Sequence, residues 1–120
     1  MPGAGAMRIG ELAERTGVSA RAIRYYEEQG LLRPERSPSG QRLYGRDAVE
    51  RVAFFQDMFA AGLSSRNIAT LLPCVETGHT DEQQRDMLRE ERERIAEQRR
   101  RLTAALRRLD AIIAITDSHP

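Results

Sequence analysis

Residues 81–115 form a long stretch without proline or glycine, in which apolar residues repeat at a helical spacing. Leucine or isoleucine recurs every seven residues, at Leu88, Ile95, Leu102 and Leu109. At ~1.5 Å per residue such a helix is about 50 Å long, too long to bury its apolar face on a small domain. The pattern therefore predicts pairing with a second helix, most simply one from another copy of the chain.

The positions three residues after this repeat are Glu91, Gln98, Ala105 and Ile112, so the predicted coiled-coil seam is polar in its first half. We predict that six residues make the dimer contacts: Leu88, Ile95, Leu102, Ala105, Leu109 and Ile112. The alternative is a lone charged helix in solvent.

Arginine supplies all 19 basic residues of this 120-residue chain, whose net charge is only +1. Residues 15–46 nevertheless carry seven arginines against three acids, a local charge of +4. A basic segment inside a nearly neutral chain indicates a polyanionic partner for that segment. The guanidinium group also suits bidentate contacts with phosphates and guanine.

Two short helices are predicted near the start of this basic segment, with Gly17 between them. The first covers residues 10–16, and Ser19 is placed to cap the second by accepting a bond from a backbone N–H. A helix pair joined by a glycine-containing turn is typical of a helix-turn-helix.

The second helix has two distinct faces at 100° per residue. One face holds Ile23, Tyr26, Glu27 and Gly30. The opposite face holds Arg21, Arg24, Tyr25 and Glu28. Recognition helices reach base edges with their N-terminal residues, so the arginine face is predicted to contact DNA. The alternative is an ordinary solvated face.

A basic hairpin, or wing, is predicted to follow, with strands at residues 31–34 and 41–44 around a turn at 37–40. Arg36 lies near its tip, and Arg42 and Tyr44 share one face of the return strand. Such a wing suits a phosphate backbone, and the alternative is a hairpin that only closes the core.

Two further helices complete the predicted domain. One covers residues 46–61, and its apolar stripe of Ala48, Val52, Phe55 and Phe59 is expected in the core. The next is capped by Ser64-Ser65 and is expected to stop at Pro73. The predicted organisation is a flexible tail (1–7), a DNA-binding domain (8–75), a linker (76–80), a dimerisation helix (81–115) and a second tail (116–120).

The chain offers little for catalysis, metal binding or membrane insertion. A single cysteine, Cys74, excludes an internal disulfide framework and is expected to be a buried or half-buried small residue rather than a sensor. His79 and His119 lie in a linker and a tail, so we expect no metal site and no cofactor. We find no phosphate-cradling loop and no nucleophile–base set, no apolar run of membrane length, and no signal peptide. We therefore expect a cytoplasmic protein that is not an enzyme.

The segments IGELAERTGV (9–18) and IRYYEEQGLL (23–32), together with the R-x-Y of Arg42 to Tyr44, resemble the MerR family of bacterial transcriptional regulators. The resemblance implies a mainly α fold: a winged helix-turn-helix domain followed by a long helix that forms an antiparallel coiled coil in a homodimer. It also implies binding to a promoter pseudo-palindrome, whose distortion lets RNA polymerase engage both promoter elements.

Carried over to this chain, the resemblance implies that Arg21, Arg24 and Tyr25 face the major groove or its phosphates, that Arg42 and Tyr44 belong to the wing, and that Tyr26 is partly buried. Ser19 and the wing-tip Arg36 complete the predicted set. The predicted DNA-binding residues are thus Ser19, Arg21, Arg24, Tyr25, Tyr26, Arg36, Arg42 and Tyr44. The chain lacks the cysteine cluster that metal- and redox-sensing relatives carry near the end of the long helix, so any small-molecule effector stays unidentified. The alternative function is an architectural DNA-binding protein similar to recombination directionality factors, although those proteins are usually shorter and lack the long helix.

Overall fold

The structure, a computed structural model, describes residues 6–119 and is mainly helical. In chain order its elements are α1 (Ile9–Thr16), α2 (Ala20–Glu28), β1 (Glu35–Arg36), β2 (Arg42–Leu43), α3 (Asp47–Ala60), α4 (Ser65–Thr77) and α5 (Glu82–Asp117). The elements fall into two compact units, one through His79 and the other from Thr80. The predicted class of helix-turn-helix, small wing and long C-terminal helix is confirmed.

Capping residues set the boundaries between the helices of the helix-turn-helix. Gly17 ends α1 with a φ of +70°, a conformation that glycine adopts without strain, and its N–H donates to the Ala13 carbonyl. The Ser19 hydroxyl oxygen accepts a hydrogen bond from the Ala22 N–H at 3.1 Å and so caps α2. Ser64 caps α4 in the same way. Both serine caps were predicted.

The core of the first unit forms where α1, α2, α3 and α4 meet. Its largest fully buried side chains are Phe55, Leu12, Ile23, Leu31, Ile68 and Val52. Tyr26 of α2 lies edge-on to Phe55 at 5.4 Å between ring centroids and stacks on Phe59 at 5.8 Å. These aromatic contacts fix the buried side of α2 against α3, and they confirm the predicted core role of the α3 stripe.

The first predicted strand is displaced. Residues 31–34 are not a strand; Leu31 and Leu32 are buried, and both donate their N–H groups to the Tyr26 carbonyl at the end of α2. The strands are shorter, with Glu35 opposite Leu43 and Arg36 opposite Arg42. The two leucines are apolar because they belong to the core, and not because they form a strand.

The N-terminal segment belongs to the first unit from Met7 onward. Met7 is buried and forms an isolated bridge with Tyr44, through N–H to carbonyl bonds of 2.8 and 2.7 Å. Met7 is therefore part of the folded first unit, whereas the prediction placed it in the flexible tail (1–7). Residues 1–5, the rest of the expected flexible tail, lie outside the described residues.

Proline does not end α4, contrary to the prediction. The helix continues through Pro73 to Thr77 and ends at Gly78, whose φ is +73° and whose N–H donates to the Cys74 carbonyl. A proline removes a single N–H donor, here the one that would reach the Ala69 carbonyl. The helical turns on either side of Pro73 still form. The helix therefore extends to Thr77, into the predicted linker (76–80).

The second unit consists chiefly of α5, a helix of 36 residues that extends ~54 Å at 1.5 Å per residue. A capping box starts it: the Asp81 carboxylate accepts from the Gln84 N–H at 2.7 Å, and the Gln84 side chain accepts from the Asp81 N–H at 3.0 Å. None of its residues is buried. Among the described residues, no helix has the length and apolarity that crossing a membrane would need.

Candidate nucleic-acid interface

The arginine face of α2 is exposed. Arg21 and Arg24 both lie on the surface, and Tyr25, which follows Arg24 in the helix, is 44% exposed. The Tyr25 ring is held from behind by Tyr26 at 6.3 Å and Phe59 at 6.4 Å between centroids. Two exposed arginines therefore lie on the same helix face as a tyrosine ring that is held in place. This face can contact phosphates and base edges.

Glu27 connects α2 to the wing, which in the structure comprises residues 35–43. One of its carboxylate oxygens accepts a hydrogen bond from Nε of Arg42 at 3.0 Å, and the other accepts from the Tyr44 hydroxyl. The Glu27 side chain is only 13% exposed. A charge-assisted bond to each oxygen fixes the return strand of the wing against the recognition helix. We call this arrangement the Glu27 contact.

Burial raises the pKa of the Tyr44 phenol well above its ordinary value, and the hydrogen bond to Glu27 raises it further. The phenol therefore remains protonated and donates to the carboxylate. Burial also raises the pKa of Tyr26. Each of these tyrosines acts as a neutral side chain of the core.

The predicted DNA-contacting residues do not all reach the surface. Tyr26 and Tyr44 are buried, at 7% and 2% exposure, so they support the neighbouring arginines from within the fold. The Ser19 hydroxyl is exposed but is occupied as the cap of α2. Arg42 is half-buried, with its Nε engaged by Glu27.

The tip of the wing is ordered by its own hydrogen bonds. Pro38 occupies the second position of a turn closed by the Gly40 N–H and the Ser37 carbonyl at 2.8 Å, and Gly40 has a φ of +86°. Arg36 is exposed and donates from Nη1 to the Gly40 carbonyl at 3.0 Å. The tip therefore presents an arginine whose direction is already set.

Glu27 is the functional residue that sequence reasoning overlooked. Its signal was present, because the predicted apolar face of α2 contained this one carboxylate. An acid on a buried face requires a partner, and the nearest candidates were Arg42 and Tyr44 on one face of the return strand.

The predicted dimerisation residues lie along α5. Leu88, Leu102, Leu109 and Ile112 are exposed apolar residues, Ala105 is exposed and Ile95 is half-buried. Leu106, Ile113 and Ile115 are exposed as well. The last turns of α5 therefore expose a cluster of aliphatic side chains, more than the isolated apolar residues that are normal on a protein surface.

The described residues offer no obvious metal centre. Across residues 6–119, no three His, Cys, Asp or Glu side chains are grouped so that they could hold an ion. Cys74 is a free, half-buried cysteine, as predicted.

Comparison with known proteins identifies the family. Residues 7–73 match the family model described as MerR HTH family regulatory protein. The mercuric resistance operon regulatory protein of Bacillus cereus is 41% identical over 81 residues, which cover 67% of this chain and 60% of that protein. The chain thus spans less than two thirds of the length of this curated relative.

Solved structures share the fold. A Listeria monocytogenes protein assigned to the MerR family of transcriptional regulators superimposes with a TM-score of 0.77 at 36% identity, over 94% of this chain and 87% of that one. HiNmlR, a MerR family regulator that lacks the sensor domain and was crystallised bound to promoter DNA, gives 0.79 at 22% identity, over 94% and 91%. The chain belongs to the MerR HTH family of transcriptional regulators.

Proposed function

We propose that two copies of this chain bind a promoter pseudo-palindrome, each inserting α2 into the major groove and laying its wing along the phosphate backbone. One observation carries the proposal: the exposed Arg21, Arg24 and Tyr25 of α2 are fixed to a basic wing through Glu27. A rigid unit of helix and wing can read bases and grip the backbone in one docking orientation.

The proposed dimer forms through α5. Its exposed aliphatic residues recur at the seven-residue spacing of a coiled coil, so a second α5 is the partner that fits them. Two recognition helices on one face of DNA place the half-sites about one helical turn, ~34 Å, apart or a multiple of it.

The proposed role is to distort the promoter so that RNA polymerase engages both of its elements. The resemblance to regulators that act in this way supports the proposal, and HiNmlR, which shares this fold, was crystallised bound to promoter DNA. Smooth bending of such a site costs ~1–6 kcal/mol, and arginine–phosphate contacts on α2 and the wing would offset that cost. Family membership makes the chain a regulator and not an enzyme.

Footprinting on the DNA upstream of the chain's own gene tests the proposal. We expect protection of a pseudo-palindrome at moderate salt, and Arg24→Ala should weaken binding by ~1–3 kcal/mol if Arg24 contacts a base. Binding without sequence preference would contradict the proposal. Transcription with purified RNA polymerase separates the alternatives, because a purely architectural protein would protect DNA without altering promoter output.

A further inference from the structure

We propose that a cleft between the N-terminal segment and the wing binds one DNA phosphate, with Arg8 as a phosphate-contacting residue. The inference rests on the proposed function and extends its contact surface to a residue outside the recognition helix and the wing. The cleft has a volume of about 280 Å³ and is lined by Arg8, Ile9, Arg36, Gly40, Gln41 and Arg42.

Backbone pairing brings the three arginines of the cleft together. Arg36 and Arg42 are direct partners across the two strands of the wing. The bridge between Met7 and Tyr44 fixes the N-terminal segment to the same return strand, which places the next residue, Arg8, at the cleft. Arg8 therefore holds its position through main-chain bonds, although it lies far from the wing in sequence.

The cleft has an excess of positive charge. None of its lining residues is acidic, and like charges directly opposite each other on paired strands repel. Glu27 compensates Arg42 alone, through the ion pair at 3.0 Å. Arg8 and Arg36 are both exposed, and the described structure gives neither of them a carboxylate partner. An anion between them would relieve the repulsion.

A phosphodiester is the anion that the surroundings favour. Guanidinium groups match phosphate oxygens in bidentate geometry. Arg42 belongs both to the cleft and to the Glu27 contact, so the cleft adjoins the helix proposed to enter the major groove. The start of α1 follows Arg8 and lacks a side-chain cap, so its first N–H groups add partial positive charge nearby.

The test compares Arg8→Gln with Arg15→Gln in the full-length chain. Arg15 lies on α1, is exposed like Arg8, and pairs with Glu11 at 3.0 Å away from the cleft. Each variant loses one positive charge and should retain the wild-type circular dichroism spectrum. Affinity is measured from 50 to 200 mM salt on a duplex carrying the footprinted site and on a scrambled duplex.

A lost phosphate contact reduces the slope of log affinity against log salt by about 0.9. We expect the affinity ratio of wild type to Arg8→Gln to fall about threefold between 50 and 200 mM salt, and the ratio for Arg15→Gln to stay constant. Arg8→Lys should restore the slope, because it restores the charge.

The other possible results contradict the Arg8 contact, the proposed function, or both. An unchanged slope for Arg8→Gln on the specific site, or equal slopes for the two glutamine variants, overturns the Arg8 contact and leaves the proposed function standing. An Arg8-dependent slope without preference for the specific duplex overturns the proposed function alone. Absence of binding to either duplex overturns both. Stabilisation of the wild type by inorganic phosphate, without an Arg8-dependent DNA slope, would assign the cleft to a free anion instead.

Discussion

Glu27 is an acid in a basic part of the chain, and at the residue scale its partners explain why it is tolerated there. A carboxylate beside a DNA-binding face repels phosphates unless its charge is compensated. Arg42 supplies the compensating charge, and the neutral Tyr44 phenol supplies a second donor. Glu27 therefore orders the wing at little electrostatic cost to DNA binding.

Glu27→Gln distinguishes this role from simple electrostatics. Removing an acid from a DNA-binding surface should strengthen binding if charge alone mattered. We expect weaker binding instead, together with a free energy of unfolding lowered by ~1–3 kcal/mol, because the wing loses its charge-assisted bonds to α2. Chemical denaturation and a gel-shift titration measure the two effects.

Glu28→Gln is the matched control, since Glu28 is exposed on the same helix. That variant should bind DNA as tightly as the wild type or more tightly, at unchanged stability. If Glu27→Gln also tightens binding, the Glu27 contact does not position the wing.

The raised pKa of Tyr44 predicts how stability changes at alkaline pH. In the unfolded chain a tyrosine loses its proton near pH 10, whereas the buried phenol keeps it, so the free energy of unfolding is retained below pH 10 and falls above it. Tyr26 shifts in the same direction. The free energy of unfolding of Tyr44→Phe should therefore fall less steeply above pH 10 than that of the wild type. Denaturant titrations from pH 8 to 11 test this, and an unchanged slope would contradict it.

At the element scale, α4 is distinguished by the proline within it. Pro73 is exposed, so replacing it removes little packing, and alanine would restore the missing donor to the Ala69 carbonyl. We expect Pro73→Ala to raise the free energy of unfolding by ~1–3 kcal/mol, since proline is about 3 kcal/mol less favourable than alanine in a helix interior.

Pro38→Ala serves as the opposite control. Pro38 lies in the turn of the wing, where proline restricts the unfolded chain, so its replacement should lower stability by ~0.4–1 kcal/mol. Urea denaturation measures the free energy of unfolding of both variants. A Pro73→Ala variant no more stable than the wild type would indicate that α4 does not continue through residue 73 in solution.

How well each element could be predicted depends on whether neighbouring residues or distant residues determine it. The caps at Ser19 and Ser64 and the stop at Gly17 depend on neighbouring residues, so the sequence was sufficient for them. The first strand of the wing was misplaced because Leu31 and Leu32 are apolar for the sake of the core, which a period-two pattern cannot distinguish from a strand. The Met7 bridge and the Glu27 contact join residues far apart in sequence, and only the fold brings them together.

At the scale of the whole molecule, the predicted DNA-binding surface and the exposed aliphatic surface lie in different units. The first unit carries the arginines of α2 and the wing, and the second carries the exposed aliphatic residues of α5. In the proposed function neither feature suffices alone, because the first unit would contact one half-site and α5 would bring a second copy to the other half-site.

Leu109→Glu tests the proposed dimer. Burying a leucine contributes ~1.5–3 kcal/mol, and a symmetric dimer loses two, so dimer affinity should fall by at least about 100-fold. Thr103→Glu adds the same charge on α5 outside the predicted seam and should leave the dimer intact. Sedimentation equilibrium measures both, and a Leu109→Glu variant that dimerises like the wild type would remove α5 from the interface.

The number of chains bound per operator tests the central claim most directly, that one chain provides half of a DNA reader. Mass photometry and affinity titration would compare a duplex carrying the whole footprinted site with one in which a single half-site is scrambled. We expect two chains on the intact site and a large loss of affinity when either half is scrambled. One chain per duplex, with equal affinity for the two DNAs, would contradict the account.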